Sequence, residues 1–286
     1  MKIGVVYPQT ELKGDPDDLR RFGLAAEALG FDHILGFDHV VGASHRDREP
    51  KLFGPYNETH PFHDPLAIFC YLAAITERIG FATGILILPQ RQTVLVAKQT
   101  ADLDLLSHER LRLGVGIGWN YVEYQALGQD FKTRGRRVDE QITYLRRLWT
   151  EPLVTFHGEF HDLDQACIIP RPKRSIPIWI GGFSEAAFAR GARLGDGYIF
   201  ALNFVKACEG SAQLDRHLAL AGRSPEGFGK EIVLQSAKTP SEAVDHIQRW
   251  RDLGGTHASV DTMRKGFDSI DGHLDFMGEI LHRFRG

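Results

Sequence analysis

Eight short runs rich in β-branched and aromatic residues alternate with segments of helical period, and this alternation constrains the chain more than any other feature. The runs cover residues 2–7, 33–37, 79–86, 111–115, 176–180, 197–201, 232–235 and 258–260. Strands separated by helices pair in parallel, and eight in succession point to a closed (β/α)₈ barrel filled by their own Val, Ile and Leu side chains. An open doubly wound sheet is the alternative. No linker, repeat or low-complexity tract interrupts the pattern, so residues 1–286 read as a single domain.

The helices carry legible starts. Asp15-Pro16 and Asp64-Pro65 each place a capping carboxylate before a proline whose missing N–H costs nothing in a first turn. Thr239-Pro240-Ser241-Glu242 is a capping box, Ser184 caps a helix running to about residue 194, and Gly30 and Gly254 stand where helices should stop. Two stretches depart from the repeat and read as insertions: residues 40–63 after strand two, and residues 152–172 between strands four and five, where a small hairpin is expected. An insertion after strand two lies at the catalytic face of a barrel.

Composition narrows the function. Thirty-four Lys and Arg against 37 Asp and Glu leave no basic footprint for nucleic acid. No run approaches 18 uncharged apolar residues, and the first residues read as a strand, so a soluble cytoplasmic protein is expected. Cys70, Cys167 and Cys208 have neither pairing nor ligand spacing and are expected to be reduced thiols.

Active-site groups of a barrel come from the C-terminal ends of its strands. Strand two ends in Phe37-Asp38-His39, strand three in Thr83-Gly84-Ile85, strand four in Gly114 to Asn120, and strand five in Ile180-Gly181-Gly182-Phe183-Ser184. Glycines at adjacent strand ends would let a flat or phosphorylated ligand approach the backbone. Gly181 to Ser184 is either a phosphate site at a helix N-terminus or a tight strand-to-helix turn. The GxGxG at Gly114, Gly116 and Gly118 lacks the spacing of a dinucleotide fingerprint. His39, an imidazole beside a carboxylate, is the candidate for proton chemistry. His45, His60, His63 and Asp64 lack ligand partners on other strand ends, so no metal is expected. Arg134-Gly135-Arg136-Arg137 either meets an anionic cofactor tail or pairs with nearby acids.

Several ordered motifs spanning most of the chain carry a family resemblance. ATGILILP at residues 82–89, AKQTADLDLLS at 97–107, RLRLGVGIGW at 110–119, RGRRVDE at 134–140 and Gly195-Asp196-Gly197 resemble the bacterial luciferase-like family. The detail is most similar to the branch that uses the deazaflavin coenzyme F-420, with Asp38-His39 where flavin-using luciferases carry Glu-His. The resemblance implies a (β/α)₈ barrel, usually dimeric, with a flavin or deazaflavin at its C-terminal mouth. By the same resemblance, Asp38 meets the ring region and His39 is the acid/base group. Gly84 and Ile85 form a bulge behind the ring, with a cis peptide between them, and Thr83 joins the cofactor-binding residues. Ile117, Gly118 and Trp119 run along the cofactor, and Gly181, Gly182, Phe183 and Ser184 surround its phosphate.

Two departures argue against a sugar-phosphate substrate. The sugar-phosphate dehydrogenases of the branch carry a glutamate where Trp119 stands and a tryptophan where Ala43 stands. The second proton-transfer group is thereby left open, with Glu123 as a stand-in. The expected function is hydride transfer between F-420 and a small organic substrate. A monooxygenase using flavin mononucleotide (FMN) is the alternative, ahead of a non-catalytic flavin binder or a metal-dependent hydrolase.

Overall fold

A computed structural model describes residues 1–286. Eight parallel strands form the barrel: β1 (Lys2–Val6), β2 (His33–Gly36), β3 (Gly80–Thr83), β4 (Leu111–Gly116), β5 (Ile178–Gly181), β6 (Gly197–Phe200), β7 (Gly229–Leu234) and β8 (His257–Val260). Their order runs β3-β2-β1-β8-β7-β6-β5-β4, and β3 pairs with β4 to close the ring. Closure removes both sheet edges. The doubly wound alternative is thereby replaced by the barrel.

Alternation along the strands separates two cores. Val5, opposite both Ile34 and Val260, joins the large apolar layer between strands and helices. Its neighbour Val6 belongs to a smaller cluster with Leu35, Trp179, Ile199 and Val233. Successive side chains on a strand point to opposite faces, so one belongs to the helix layer and the next to the lumen.

Nine helices surround the strands: α1 (Pro16–Leu29), α2 (Pro65–Ala73), α3 (Thr93–Leu106), α4 (Tyr121–Ala126), α5 (Arg134–Thr150), α6 (Glu185–Leu194), α7 (Phe204–Leu220), α8 (Pro240–Asp252) and α9 (Ile270–Arg285). The caps lie where the sequence puts them. Asp15 accepts from the N–H groups of Asp17 and Asp18, Asp64 from those of Leu66 and Ala67, and Thr239 from that of Glu242. Each such cap is worth about 1 kcal/mol. The return bond of the capping box goes one residue early, from Lys238 N–H to Glu242 Oε2 at 2.8 Å. The short α4 is the helix that the strand–helix repeat does not anticipate.

The third run is one strand in the sequence and two in the structure. β3 stops at Thr83, the Gly84–Ile85 peptide is cis, and Leu86–Ile87 resumes pairing on β4 alone. β7 begins three residues before its expected start, because the charged Lys230 and Glu231 are buried strand residues. The hairpin is present as Val154–His157 paired with Asp162–Ala166. Glu140 of α5 anchors its turn, accepting from Glu159 N–H at 2.7 Å and Phe160 N–H at 3.0 Å. Residues 40–63 contain no helix or strand and lie against the mouth. Tyr121 donates to the Pro50 carbonyl at 2.6 Å, and Gly54 packs on the Trp119 ring, where a Cβ would have no room.

Candidate active site

His39 stands three residues beyond the end of β2 and enters a pocket of aromatic rings. Its ring centroid lies 4.8 Å from Phe62, 5.0 Å from Tyr56 and 5.7 Å from Trp119. Its side chain is one-tenth exposed, and Nδ1 lies 3.3 Å from Glu123 Oε1. Glu123 sits on α4 and is wholly buried. Its Oε1 also accepts from Val40 N–H at 2.9 Å and Val41 N–H at 3.2 Å, while Oε2 has no partner. The carboxylate therefore fixes both the ring and the backbone that follows it. With Nδ1 donating to Glu123, Nε2 is left without a protein hydrogen bond.

Asp38 lies beneath this pocket. Its carboxylate accepts from Ile87 N–H at 2.9 Å and from Arg91 at 2.7 Å, and Arg91 in turn reaches Asp64 at 2.9 Å. Burial pushes the Asp38 carboxyl above its ordinary value, and Arg91 and the Ile87 N–H act against that shift. Asp38 thus ties the end of β2 to the segment after the bulge and, through Arg91, to the start of α2. Arg91 was not anticipated, because its partners lie 53 and 27 residues away in the chain and leave no local motif.

The glycines serve the bulge. A Cβ on Gly116 would lie 2.6 Å from Ile85 Cδ1, and one on Gly181 would lie 2.6 Å from Ile85 Cγ2. Both positions are bare because the Ile85 side chain occupies the space. Thr83, fully buried, donates to the Gly114 carbonyl at 2.6 Å and holds β3 against β4 at the point where the bulge begins. Ile85, Ile117, Gly118 and Trp119 remain half-exposed at the mouth. The surface that a planar ring would meet is therefore an apolar bulge rather than naked backbone.

Beside it, Gly182 has φ +150°, and a Cβ there would strike Ala187. Phe183 and Ser184 are exposed. The Ser184 side chain accepts from Ala187 N–H at 3.3 Å, leaving the N–H groups of Glu185 and Ala186 to meet solvent at the start of α6. Glu185 turns its carboxylate to His217 of α7 at 2.7 Å. Unpartnered N–H groups at the positive end of a ten-residue helix suit a phosphate. Together with the Ile85 platform, they fit a phosphorylated flavin or deazaflavin. Arg134 and Arg136 face elsewhere: Arg134 donates to the Phe131 carbonyl at 2.6 Å, and Arg136 pairs with Glu159 at 2.5 Å.

His45 donates to or accepts from no acid; its Nε2 lies 2.9 Å from the Tyr56 carbonyl, and His60 bonds Asn57. Groups of three or more His, Cys, Asp or Glu arranged to hold a metal are absent. Beyond Tyr56 the mouth opens into a cavity of about 370 Å³ at the ends of β7 and β8, lined by Lys238, Asp261, Arg264 and Lys265 among others. Asp261 is nearly fully buried, accepts from Met263 N–H at 2.8 Å, and burial pushes its carboxyl up to about 6. The sequence offers a signal for it: Asp261 immediately follows the run 258–260, at a strand end of the kind that carries barrel chemistry.

No helix is long and apolar enough to cross a membrane. The chain matches the luciferase-like monooxygenase family model over residues 1–273. It is 35% identical over 202 residues to an uncharacterized protein of Mycobacterium tuberculosis, covering 70% of this chain and 68% of the relative. It is 29% identical over 255 residues to the F420-dependent glucose-6-phosphate dehydrogenase of Intrasporangium calvum, covering 84% and 72%. It is also 29% identical over 245 residues to the FMNH(2)-dependent dimethylsulfone monooxygenase of Pseudomonas fluorescens, covering 84% and 64%. The structure of an F420-dependent secondary alcohol dehydrogenase in complex with an F420-acetone adduct superposes with a TM-score of 0.80 at 17% identity, covering 100% of this chain and 99% of that one. The chain is a member of the bacterial luciferase-like family of oxidoreductases and monooxygenases.

Proposed function

We propose that this protein transfers a hydride between the deazaflavin coenzyme F-420 and a small organic substrate, with His39 exchanging the accompanying proton through Nε2. The observation that carries the reading is the buried Glu123 at His39 Nδ1, which orients the imidazole and stabilises it when protonated. When bound, the coenzyme supplies the carbon centre that accepts or donates the hydride. The chain's own residues do the rest. Ile85, Ile117 and Trp119 offer apolar surface to a ring, and the start of α6 beyond Ser184 offers N–H groups to a phosphate. Tyr56, Phe62 and Trp119 keep water from the imidazole, and Glu123 holds it. The cavity beyond Tyr56 takes the substrate, with Asp261 as a second acid/base group in its wall.

An FMN-dependent monooxygenase is the second reading, since the N–H groups at α6 suit either phosphate and the Pseudomonas fluorescens relative is named for FMNH(2). The test is reduction of F-420 by small alcohols under anaerobic conditions, in wild type and His39→Ala. Turnover in the variant should fall about a hundredfold or more, with coenzyme affinity within a few fold, because acid–base groups contribute about 10²–10⁴. Near wild-type turnover in His39→Ala would reduce the histidine to packing.

A further inference from the structure

The opposite end of the barrel, away from His39, holds a second cavity of about 320 Å³ lined by the first residues of several strands. Its wall carries Lys2, Arg78, Arg110, Arg112 and Arg174 with His33 and His257, against the carboxylates of Asp32 and Glu109. That is a local excess of positive charge on a chain whose formal net charge is −3. Arg174 is neutralised by Asp104 at 2.7 Å. Arg110 is not, because its guanidinium is spent on main-chain carbonyls and the Thr76 hydroxyl. Lys2 and Arg78 are exposed and form no ion pair.

Arg112 is the inner member of the group. Its Nη2 donates to the buried Glu231 at 2.6 Å, its guanidinium lies 4.1 Å from the centre of a Trp179 ring, and its Nη1 is buried with no partner. Glu231 does not supply that partner: it takes His33 at 2.6 Å, Ser259 at 2.7 Å and Arg112 through Nη2 alone. Next to this group stands His257, its ring 4.9 Å from Trp179 and 5.8 Å from His33. Burial, with Arg112 nearby, pushes the His257 imidazole down to about 3, so it stands neutral. A buried guanidinium N–H without an acceptor is costly, and an ionised oxygen is the group that satisfies it best.

We propose that the floor of the barrel binds a small oxyanion of the phosphate type, held at Arg112 Nη1, with Lys2 and Arg78 supplying the outer charge. The inference stands apart from the coenzyme reading, which concerns the other end of the barrel. The probe is inorganic phosphate, titrated at pH 7 against sodium chloride of matched ionic strength. The readout is the ring C–H resonance of His257, identified by its loss in His257→Gln. Phosphate should shift this resonance saturably and chloride should not. The double variant Lys2→Gln, Arg78→Gln should weaken binding at least about tenfold, whereas Ser184→Ala, at the far end, should leave it unchanged. If the double variant melts lower in chloride, the two single variants carry the test by the same criterion. No saturable shift, an equal shift with chloride, or undiminished binding in the Lys2 and Arg78 variants would overturn the proposal.

Discussion

If Gly116 and Gly181 are bare because Ile85 fills their space, alanine at either position should cost stability, and trimming Ile85 should recover it selectively. A Cβ on Gly116 meets Ile85 Cδ1 at 2.6 Å and Cγ1 at 3.0 Å, whereas one on Gly181 meets Cγ2 at 2.6 Å. Overpacking of this kind typically costs about 1–3 kcal/mol, which lowers the melting temperature by roughly 2–4 °C per kcal/mol in a chain of this size. Ile85→Val removes Cδ1 and keeps Cγ2. It should therefore relieve much of the Gly116→Ala defect and little of the Gly181→Ala defect, while Ile85→Ala should relieve both. Half-exposed, Ile85 should itself cost about 1 kcal/mol or less on trimming to Val. Urea unfolding of the singles and doubles gives the coupling energies directly. Equal rescue of both alanine variants by Ile85→Val, or rescue of neither, would refute the argument that these glycines make way for this side chain.

Two further outcomes follow from buried carboxylates. Glu123→Gln keeps an acceptor for Val40 and Val41 but turns the unpartnered Oε2 into an amide donor with no acceptor, so stability should fall by about 1–3 kcal/mol. Turnover should fall with it while coenzyme affinity holds, as measured by steady-state kinetics and fluorescence titration; unchanged turnover would remove Glu123 from the proton path. For Asp261, a carboxyl raised to about 6 in the fold binds its proton more tightly than the unfolded chain does. Its contribution to stability is full at pH below about 4 and is lost as pH rises through 6. Asp261→Asn should stabilise the protein by up to roughly 3 kcal/mol at pH 7.5 and by little at pH 4. Equal effects at both pH values would mean that Asp261 titrates normally.

Much of the barrel was legible because its signals are local. Asp15, Asp64, Ser184 and Thr239 cap helices within four residues of themselves, and short, nearly continuous runs of apolar residues mark strands whose two faces are both buried. The break at Gly84–Ile85 was not visible in the pattern of apolar residues, which runs unbroken from 79 to 89 save for Thr83 and the two glycines. It came from family resemblance alone. His39 and Glu123 could be named from position, but their contact spans 84 residues and only the closed barrel brings them together. Arg91 was hidden for the same reason. At the glycine-rich strand ends, Gly116 and Gly181 are bare because of a protein side chain, Ile85, which no local rule distinguishes from a ligand. Asp261 directly follows the last run, but nothing in its sequence neighbours marks the burial that sets it apart.

An equilibrium titration of the protein with F-420 and, separately, with FMN, followed by fluorescence, decides the identity of the coenzyme. F-420 should bind at least about tenfold tighter, a difference of about 1.4 kcal/mol that one good polar contact supplies. Equal affinities, or tighter binding of FMN, would contradict it.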